Sequence, residues 1–274
     1  MNDVKIAAPM FILREQCAKG RMFEVLEKEK NMGFDGVELV GFWDKSPEAL
    51  KKKLKELEFS PMGNHIGYPE LETDPEGVLS RHLEVGFPYI TIGGIPLPGQ
   101  EGFERAAERI NQLGPKFREN GITLLYHNHD FEMKKLPDGR WILDAILEAI
   151  DPDAMALEAD LGWMQIAGAD PDEFLTRYPS RIPVVHLKDF YASDSKAIHY
   201  TPDLEEHRGG AEHANFEFRP LGYGLSNLPV LVPKALALNP DWLVVDHDLS
   251  YERSPYYDLQ MSLDYLLNLL TDFC

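Results

Sequence analysis

The sequence predicts an α/β protein folded as a single (β/α)8 TIM barrel over residues 1–274. Short apolar runs alternate with longer amphipathic stretches eight times, and no Ser/Gly linker or low-complexity tract interrupts them. No Gly-rich phosphate loop follows the first run, which argues against a dinucleotide-binding sheet. Eight strand-then-helix repeats select the closed parallel barrel over an open doubly wound sheet. A chain of 274 residues fits one such domain, since barrels of about 250 residues routinely form one.

In chain order the expected strands are Val4 to Pro9, Gly36 to Val40, Ser60 to His65, Tyr89 to Gly93, Thr123 to His129, Ala154 to Asp160, Val184 to Lys188 and Trp242 to Asp246. The expected helices run near Glu15 to Asn31, Pro47 to Leu57, Pro75 to Val85, Phe103 to Asn120, Trp141 to Ile150, Pro171 to Tyr178, Leu228 to Leu238 and Pro255 to Leu270. Ser46 before Pro47, Asp74 before Pro75 and Asp170 before Pro171 read as N-caps followed by a first-turn proline. Gly33 and Gly121 fall where a helix must stop in a left-handed cap. The stretch from Tyr191 to Tyr223 breaks the rhythm. It is long, polar and His-rich, and it reads as an enlarged loop after strand seven, of the kind used as a lid or an interface arm.

The charge balance narrows the partners. Lys plus Arg number 27 against 46 Asp plus Glu, a formal charge of −19. Such a chain lacks the basic stripe that tracks phosphates, so nucleic acid is excluded as a partner. Cys17 and Cys274 lie near opposite ends and form no metal or redox spacing, as in a reduced cytoplasmic protein. Val4 to Leu13 is apolar but carries Lys5 and runs into Arg14 and Glu15 without a cleavage site, so it reads as a strand, not a signal peptide. No apolar run approaches the ~20 residues of a membrane span.

In a barrel of this kind the chemistry sits where strands end. Those ends carry Glu38, His65, His127 with His129, Glu158 with Asp160, His186 with Lys188, and Asp246 with Asp248. Residues two apart share a face, so each pair points the same way. A lone strand-end His or Asp is ordinarily a cap, a loop anchor or a satisfied polar group. Together these residues are harder to explain, because adjacent inward charges repel unless a cation or polar ligand holds them. The mixture of imidazole and carboxylate suits Mn²⁺, Co²⁺ or Zn²⁺ and suits Ca²⁺ poorly.

The runs GFDGVEL (Gly33 to Leu39), YHNHDFE (Tyr126 to Glu132), EADLGW (Glu158 to Trp163), AGADP (Ala167 to Pro171), VVHLKD (Val184 to Asp189) and PLGYG (Pro220 to Gly224) resemble the sugar phosphate isomerase/epimerase family of xylose isomerase-like barrels. That family includes ketose 3-epimerases, hydroxypyruvate isomerase, inosose dehydratase and dehydroshikimate dehydratase, and more distantly endonuclease IV. The resemblance implies one divalent metal, Mn²⁺ foremost with Co²⁺, Zn²⁺ or Mg²⁺ as alternatives, on His127, Asp160, His186 and Asp246. His127 and Asp246 stand where the epimerases carry Glu, which removes the usual proton-transfer base on strand five. It also implies a homodimer or tetramer and a small sugar, keto-sugar or polyol as substrate.

The chemistry so implied is removal of a proton beside a carbonyl, with the metal stabilising the enediolate as a Lewis acid. Proton return gives isomerisation or epimerisation, the leading expectation; loss of a β-hydroxyl gives dehydration, the alternative. A barrel that binds metal or sugar without catalysis is the third possibility. His129 is the expected base or acid, or else it orients Asp160 or the substrate. Lys188 would hold an oxyanion or a substrate carboxylate, or pair with Asp189 or Glu158. Glu158 would reach the substrate or serve as a buried partner of Lys188. Glu38 and His65 would hydrogen-bond substrate, and Trp163 and Trp43 would wall the pocket. Glu132 is expected to cap the next helix or face solvent, and His247, of opposite parity to Asp246, to point at the helix layer. His199, His207 and His213 lie in the long loop. Apart from Lys188, with Arg219 and Arg253 as further candidates, no basic cluster lines the mouth, which points to a substrate without phosphate.

Overall fold

The structure, a computed structural model, describes residues 4–192 and 216–273. The chain runs β1 (Lys5–Pro9), α1 (Arg14–Ala18), α2 (Met22–Met32), β2 (Gly36–Val40), α3 (Pro47–Glu56), β3 (Ser60–Ile66), α4 (Tyr68–Thr73), α5 (Pro75–Val85), β4 (Tyr89–Ile92), α6 (Phe103–Glu119) and β5 (Thr123–His127). It continues through α7 (Ile142–Ala149), β6 (Met155–Asp160), α8 (Leu161–Ile166), α9 (Pro171–Arg177), β7 (Val184–Leu187), β8 (Asp189–Ala192), β9 (Phe216–Arg219), α10 (Leu228–Leu236), β10 (Trp242–Val245) and α11 (Pro255–Thr271). Eight parallel strands close in the order β1-β10-β7-β6-β5-β4-β3-β2. This is the barrel the repeats predict. Among the described residues no helix is long and apolar enough to cross a membrane.

The helix signals act as their chemistry requires. Ser46, Asp74 and Asp170 each accept a backbone N–H of the helix they precede, from Ala49, Gly77 and Asp172 respectively. Gly33 ends α2 at φ 109°, in the left-handed region. The expected helix Glu15 to Asn31 is split in two by Gly20 at φ 76°. Helices α4 and α8 were not expected; each is only six residues long and fills a connection at the carboxyl end of a strand.

The lower interior of the barrel is an apolar plug of Ala7, Tyr89, Leu125, Ala156, Val184 and Trp242, with Met62 and Val244. Register then sets the level of the polar residues above it. His127 pairs with Glu158, and Asp160 with His186, across neighbouring strands. Irregular pairing between Val37 and Glu38 sets Glu38 opposite Gly63.

The stretch after strand seven is not wholly irregular, contrary to expectation. Its ends pair as an antiparallel ribbon, β8 with β9, from Asp189 opposite Arg219 to Ala192 opposite Phe216. Phe190, Phe216 and Phe218 pack with Trp163 and Ile166 beneath the ribbon. His199, His207 and His213 lie outside the described residues, as does Cys274; Cys17 is a buried free thiol. The buried Asp189 anchors the ribbon: its carboxylate accepts N–H groups of Phe190, Ser226, Gly222 and Gly224, each at 2.8–2.9 Å. Asp189 is therefore a loop anchor and not a partner of Lys188.

One buried acid stands outside this order. Glu29 on α2 has no exposure, and neither carboxylate oxygen has a hydrogen-bond partner. Burial pushes its pKa up to about 8 from an ordinary 4.5. Because the folded value is raised, the stabilising protonated form is fully present below about pH 4.5 and is lost as pH rises towards about 8. Glu29→Gln should therefore flatten the loss of thermal stability across that window, gaining on the order of a few kcal/mol over the native chain above pH 8. Unfolding midpoints measured for both proteins across the window check this; parallel curves would refute it. At the ribbon anchor, a Cβ on Gly224 would collide with the Asp189 carboxylate and the Phe190 carbonyl. Gly224→Ala should cost about 1–3 kcal/mol, read as a lower denaturant midpoint at unchanged slope.

Candidate active site and metal centre

Every strand-end residue singled out from the sequence except Trp43 meets in one buried cluster at the carboxyl mouth of the barrel or directly against it. The centre is Glu158 on β6, which has no exposed surface. Its Oε1 accepts from Thr91 Oγ1 at 3.0 Å. Its Oε2 lies 2.9 Å from His127 Nδ1, 3.1 Å from His65 Nε2 and 3.4 Å from His186 Nε2. Glu38 on β2 closes the same space, with Oε1 3.1 Å from His65 Nε2 and Oε2 3.2 Å from His186 Nε2. Glu158 is thus a partner of three imidazoles and not of Lys188.

A second set of contacts stands on the other side of the same two rings. His186 Nδ1 is 3.1 Å from Asp246 Oδ2, and His127 Nε2 is 3.8 Å from Asp160 Oδ2. Lys188, fully buried, places Nζ 2.6 Å from Asp248 Oδ2, 2.8 Å from Asp246 Oδ2 and 3.6 Å from Asp160 Oδ2. The ammonium lies over the ring faces of Trp163 and Phe218, at 4.9 and 5.3 Å from their centroids. Trp163 therefore lines the cluster from beneath the ribbon. Trp43, in contrast, sits 40% exposed in the loop after β2.

Asp160 is held from three directions. Its Oδ1 caps α8 by accepting from Trp163 N at 2.8 Å. Its backbone N–H and C=O are both bonded to the side chain of Asn128, which extends the β5–β6 ladder past its last residue pair. Its Oδ2 is buried without a hydrogen-bond partner. His129 stacks on Phe131 and stands beside His127 and Trp163, and its Nδ1 is likewise buried without a partner.

The electrostatics follow from these contacts. Burial disfavours charge on His65, but Glu38 and Glu158 outweigh it and raise its pKa to about 10. The same competition, with Asp246 added, lifts His186 well above the ordinary imidazole value. Lys188 is raised too, its three aspartates overcoming burial. Burial and the neighbouring rings hold His127 down at about 4 despite Glu158. His129 is held well below the ordinary value by burial, with His127 and Lys188 adding to it. Against burial, His186 and His65 keep Glu158 well below the usual carboxylate range, and Lys188 and His186 do so for Asp246. Burial and Asp246 push Asp160 well above that range despite Lys188.

The residues fit a divalent metal. Two overlapping groups each bring four donor atoms within 4.8 Å of one another: His65, His127, Glu158 and His186, and His127, Asp160, His186 and Asp246. The second is the set that the family resemblance implies. Five buried carboxylates face one Lys, and the unpartnered His65 Nε2 between Glu38 and Glu158 is the kind of orphan a cation satisfies. Imidazole with carboxylate is a transition-metal donor set.

Sequence reasoning missed some supports. Thr91 has the parity of Tyr89, which turns into the barrel, and that signal would have found it. Asn128 was hidden by its own parity, opposite to His127 and His129. Glu132 neither caps a helix nor faces solvent; it is buried and accepts from Tyr126 Oη at 2.6 Å and His129 N at 2.8 Å. His247 does face the helix layer, with Nε2 3.7 Å from Asp258 Oδ2 of α11. Arg253 Nε pairs with Asp258, while Arg219 pairs with Glu217 through Nη2 and keeps a buried Nε without a partner.

Comparison with known proteins agrees with this architecture. Residues 26–258 match the family model of the xylose isomerase-like TIM barrel. An inosose dehydratase of Lacticaseibacillus casei is 33% identical over 114 residues, which span 42% of this chain and only 35% of that protein. A sugar phosphate isomerase/epimerase from Parabacteroides distasonis superposes with a TM-score of 0.76 at 19% identity, over 96% of this chain and 93% of that one. A probable 3-DHS dehydratase from Bacillus anthracis gives 0.75 at 15% identity, over 97% and 99%. At such identities the two superpositions speak for the fold alone. From the family match and the closed barrel together, the chain belongs to the xylose isomerase-like TIM barrel family.

Proposed function

We propose that this chain is a divalent-metal-dependent enzyme that takes a proton from the carbon beside the carbonyl of a small keto-sugar or keto-inositol, with loss of water as the outcome. The observation that carries this reading is His129, whose buried Nδ1 has no hydrogen-bond partner and whose ring stands beside His127 of a metal-competent cluster. His127 and His186 belong to both candidate donor groups, so these two rings would hold the ion together with the carboxylates around them. The ion would supply Lewis acidity at the substrate carbonyl.

The chain's own residues do the rest. His129, kept neutral, can accept the carbon proton. Lys188, kept charged, offsets the aspartates Asp160, Asp246 and Asp248 beside the two shared rings. If the His129 imidazolium passes the proton to the neighbouring hydroxyl, that C–O bond breaks, a C=C bond forms and water departs. One proton carrier suffices for this sequence. Returning the proton to the opposite face needs a second carrier, and the imidazoles of His65 and His186 are already engaged with carboxylates. Glu38 and Trp163, both buried against the cluster, would be the groups nearest a bound substrate. With Lys188 committed to three aspartates and Arg253 paired with Asp258, the site favours an uncharged substrate.

The curated likeness to an inosose dehydratase supports the lyase outcome. Isomerisation is the second reading, supported by the fold shared with a sugar phosphate isomerase/epimerase. A panel of inososes and ketoses incubated with Mn²⁺ in heavy water separates them. The lyase gives a product lighter by one water with enone absorbance, and isomerisation gives solvent deuterium on carbon without mass loss. His129→Ala should lower turnover by about 10²–10⁴-fold. Turnover unchanged in His129→Ala would remove it from the mechanism.

A further inference from the structure

The two candidate donor groups share His127 and His186, and those two rings are used on both sides. Each turns one nitrogen to Glu158 and the other to an aspartate: His127 to Glu158 and Asp160, His186 to Glu158 and Asp246. A neutral imidazole gives a metal one nitrogen only, while the other donates its proton to an acceptor that fixes the tautomer. A metal would therefore take one side only, and the carboxylate on the other side would face the second nitrogen: for the glutamate side that is Asp246, at 3.1 Å from His186 Nδ1, and Asp160, at 3.8 Å from His127 Nε2 and so outside hydrogen-bond distance.

Lys188 breaks the symmetry. Its ammonium contacts Asp246 Oδ2 at 2.8 Å and lies 3.6 Å from Asp160 Oδ2, the two oxygens that complete the aspartate-side group. A divalent ion there would stand beside a buried ammonium, whose repulsion is large in a dry interior. On the glutamate side no Lys or Arg approaches among the described residues. His65 Nε2 is buried and makes no well-aligned hydrogen bond, although Glu38 and Glu158 lie 3.1 Å away. The spacings of Glu158 Oε2 to the three ring nitrogens, 2.9, 3.1 and 3.4 Å, approach the edge of about 3.4 Å of a tetrahedron with ligands at about 2.1 Å.

We infer that the metal is held by His65, His127, His186 and Glu158, a three-imidazole, one-carboxylate set, while Lys188 is the resident cation of Asp160, Asp246 and Asp248. Asp246 then orients His186 and does not ligate. This placement rests on the metal-dependent reading above and replaces its ligand set. Three imidazoles shift the preference from Mn²⁺ towards Zn²⁺ or Co²⁺.

The test is metal affinity and not turnover. Native chain stripped with a chelator is titrated with Zn²⁺, beside His65→Gln, Asp160→Asn and Lys188→Met. We expect one ion per native chain and at least about 100-fold weaker binding in His65→Gln, with Asp160→Asn and Lys188→Met within about 10-fold of native. Binding lost in Asp160→Asn but kept in His65→Gln overturns the placement, as does clearly tighter binding in Lys188→Met or a second ion per chain. Should His65→Gln fail to fold, the native chain loaded with Cu²⁺ decides. Pulsed electron paramagnetic resonance should count three coordinated imidazoles, and two would overturn the inference. A native chain that takes up no metal overturns the proposed function as well, which separates the two failures.

Discussion

The constraint on which the mouth of this barrel depends is charge compensation without water. Glu38, Glu158, Asp160, Asp246 and Asp248 are all buried at the ends of three non-adjacent strands, β2, β6 and β10, that converge on one mouth, and a closed sheet gives them nowhere to move apart. An uncompensated carboxylate in such a place costs several kcal/mol, comparable to the whole stability of a domain. The fold answers with two devices. Lys188 binds the aspartates on one side, and three imidazoles surround Glu158 on the other. The side chains that assemble the site are therefore the same ones that make its burial tolerable, and the opposing pKa directions of Asp160 and Asp246, side by side, record that balance.

This arrangement gives the barrel a vertical division of labour. Below, Tyr89, Leu125, Ala156, Val184 and Trp242 fill the interior and hold the strands at fixed spacing. Above, the same strands continue with one polar residue every second position. Because neighbouring strands are locked in register by the apolar layer, the level of each polar side chain is set by packing that it does not take part in. The polar cluster is a consequence of the plug beneath it, joined by Thr91, the polar step between the two layers.

Much of this was readable in the sequence because it depends on period. Alternation of apolar runs with amphipathic stretches named all eight barrel strands, and parity put His127 with His129, Glu158 with Asp160 and His186 with Lys188. Period places the seventh strand between the sixth and the eighth but does not say which neighbour's acids a long side chain reaches, so it could not tell that Lys188 meets Asp246 and Asp248, both at the end of the eighth strand, and not Glu158 or Asp189. Nor could it foresee the bond from Asn128 to Asp160, since a residue of outward parity just past a strand end is free to turn. Glu132 was misjudged because its burial is set by Tyr126, a residue six positions earlier that has no local signature. The ribbon was missed because its two strands are only four residues each and are separated by residues 193–215.

That ribbon also bears on what the barrel can tolerate between its two short strands. Antiparallel pairing of Asp189–Ala192 with Phe216–Arg219, locked below by the four N–H groups on Asp189, brings the two ends of the insertion together before it begins. Closure is then already accomplished by the ribbon, and the entropy of any added residues grows only as the logarithm of their number. Residues 193–215 can be lengthened, shortened or exchanged with little cost to the barrel, while their roots stay fixed beside Lys188 and Trp163. The ribbon is in effect a socket, whose two strands hold their own places whatever length of chain joins them.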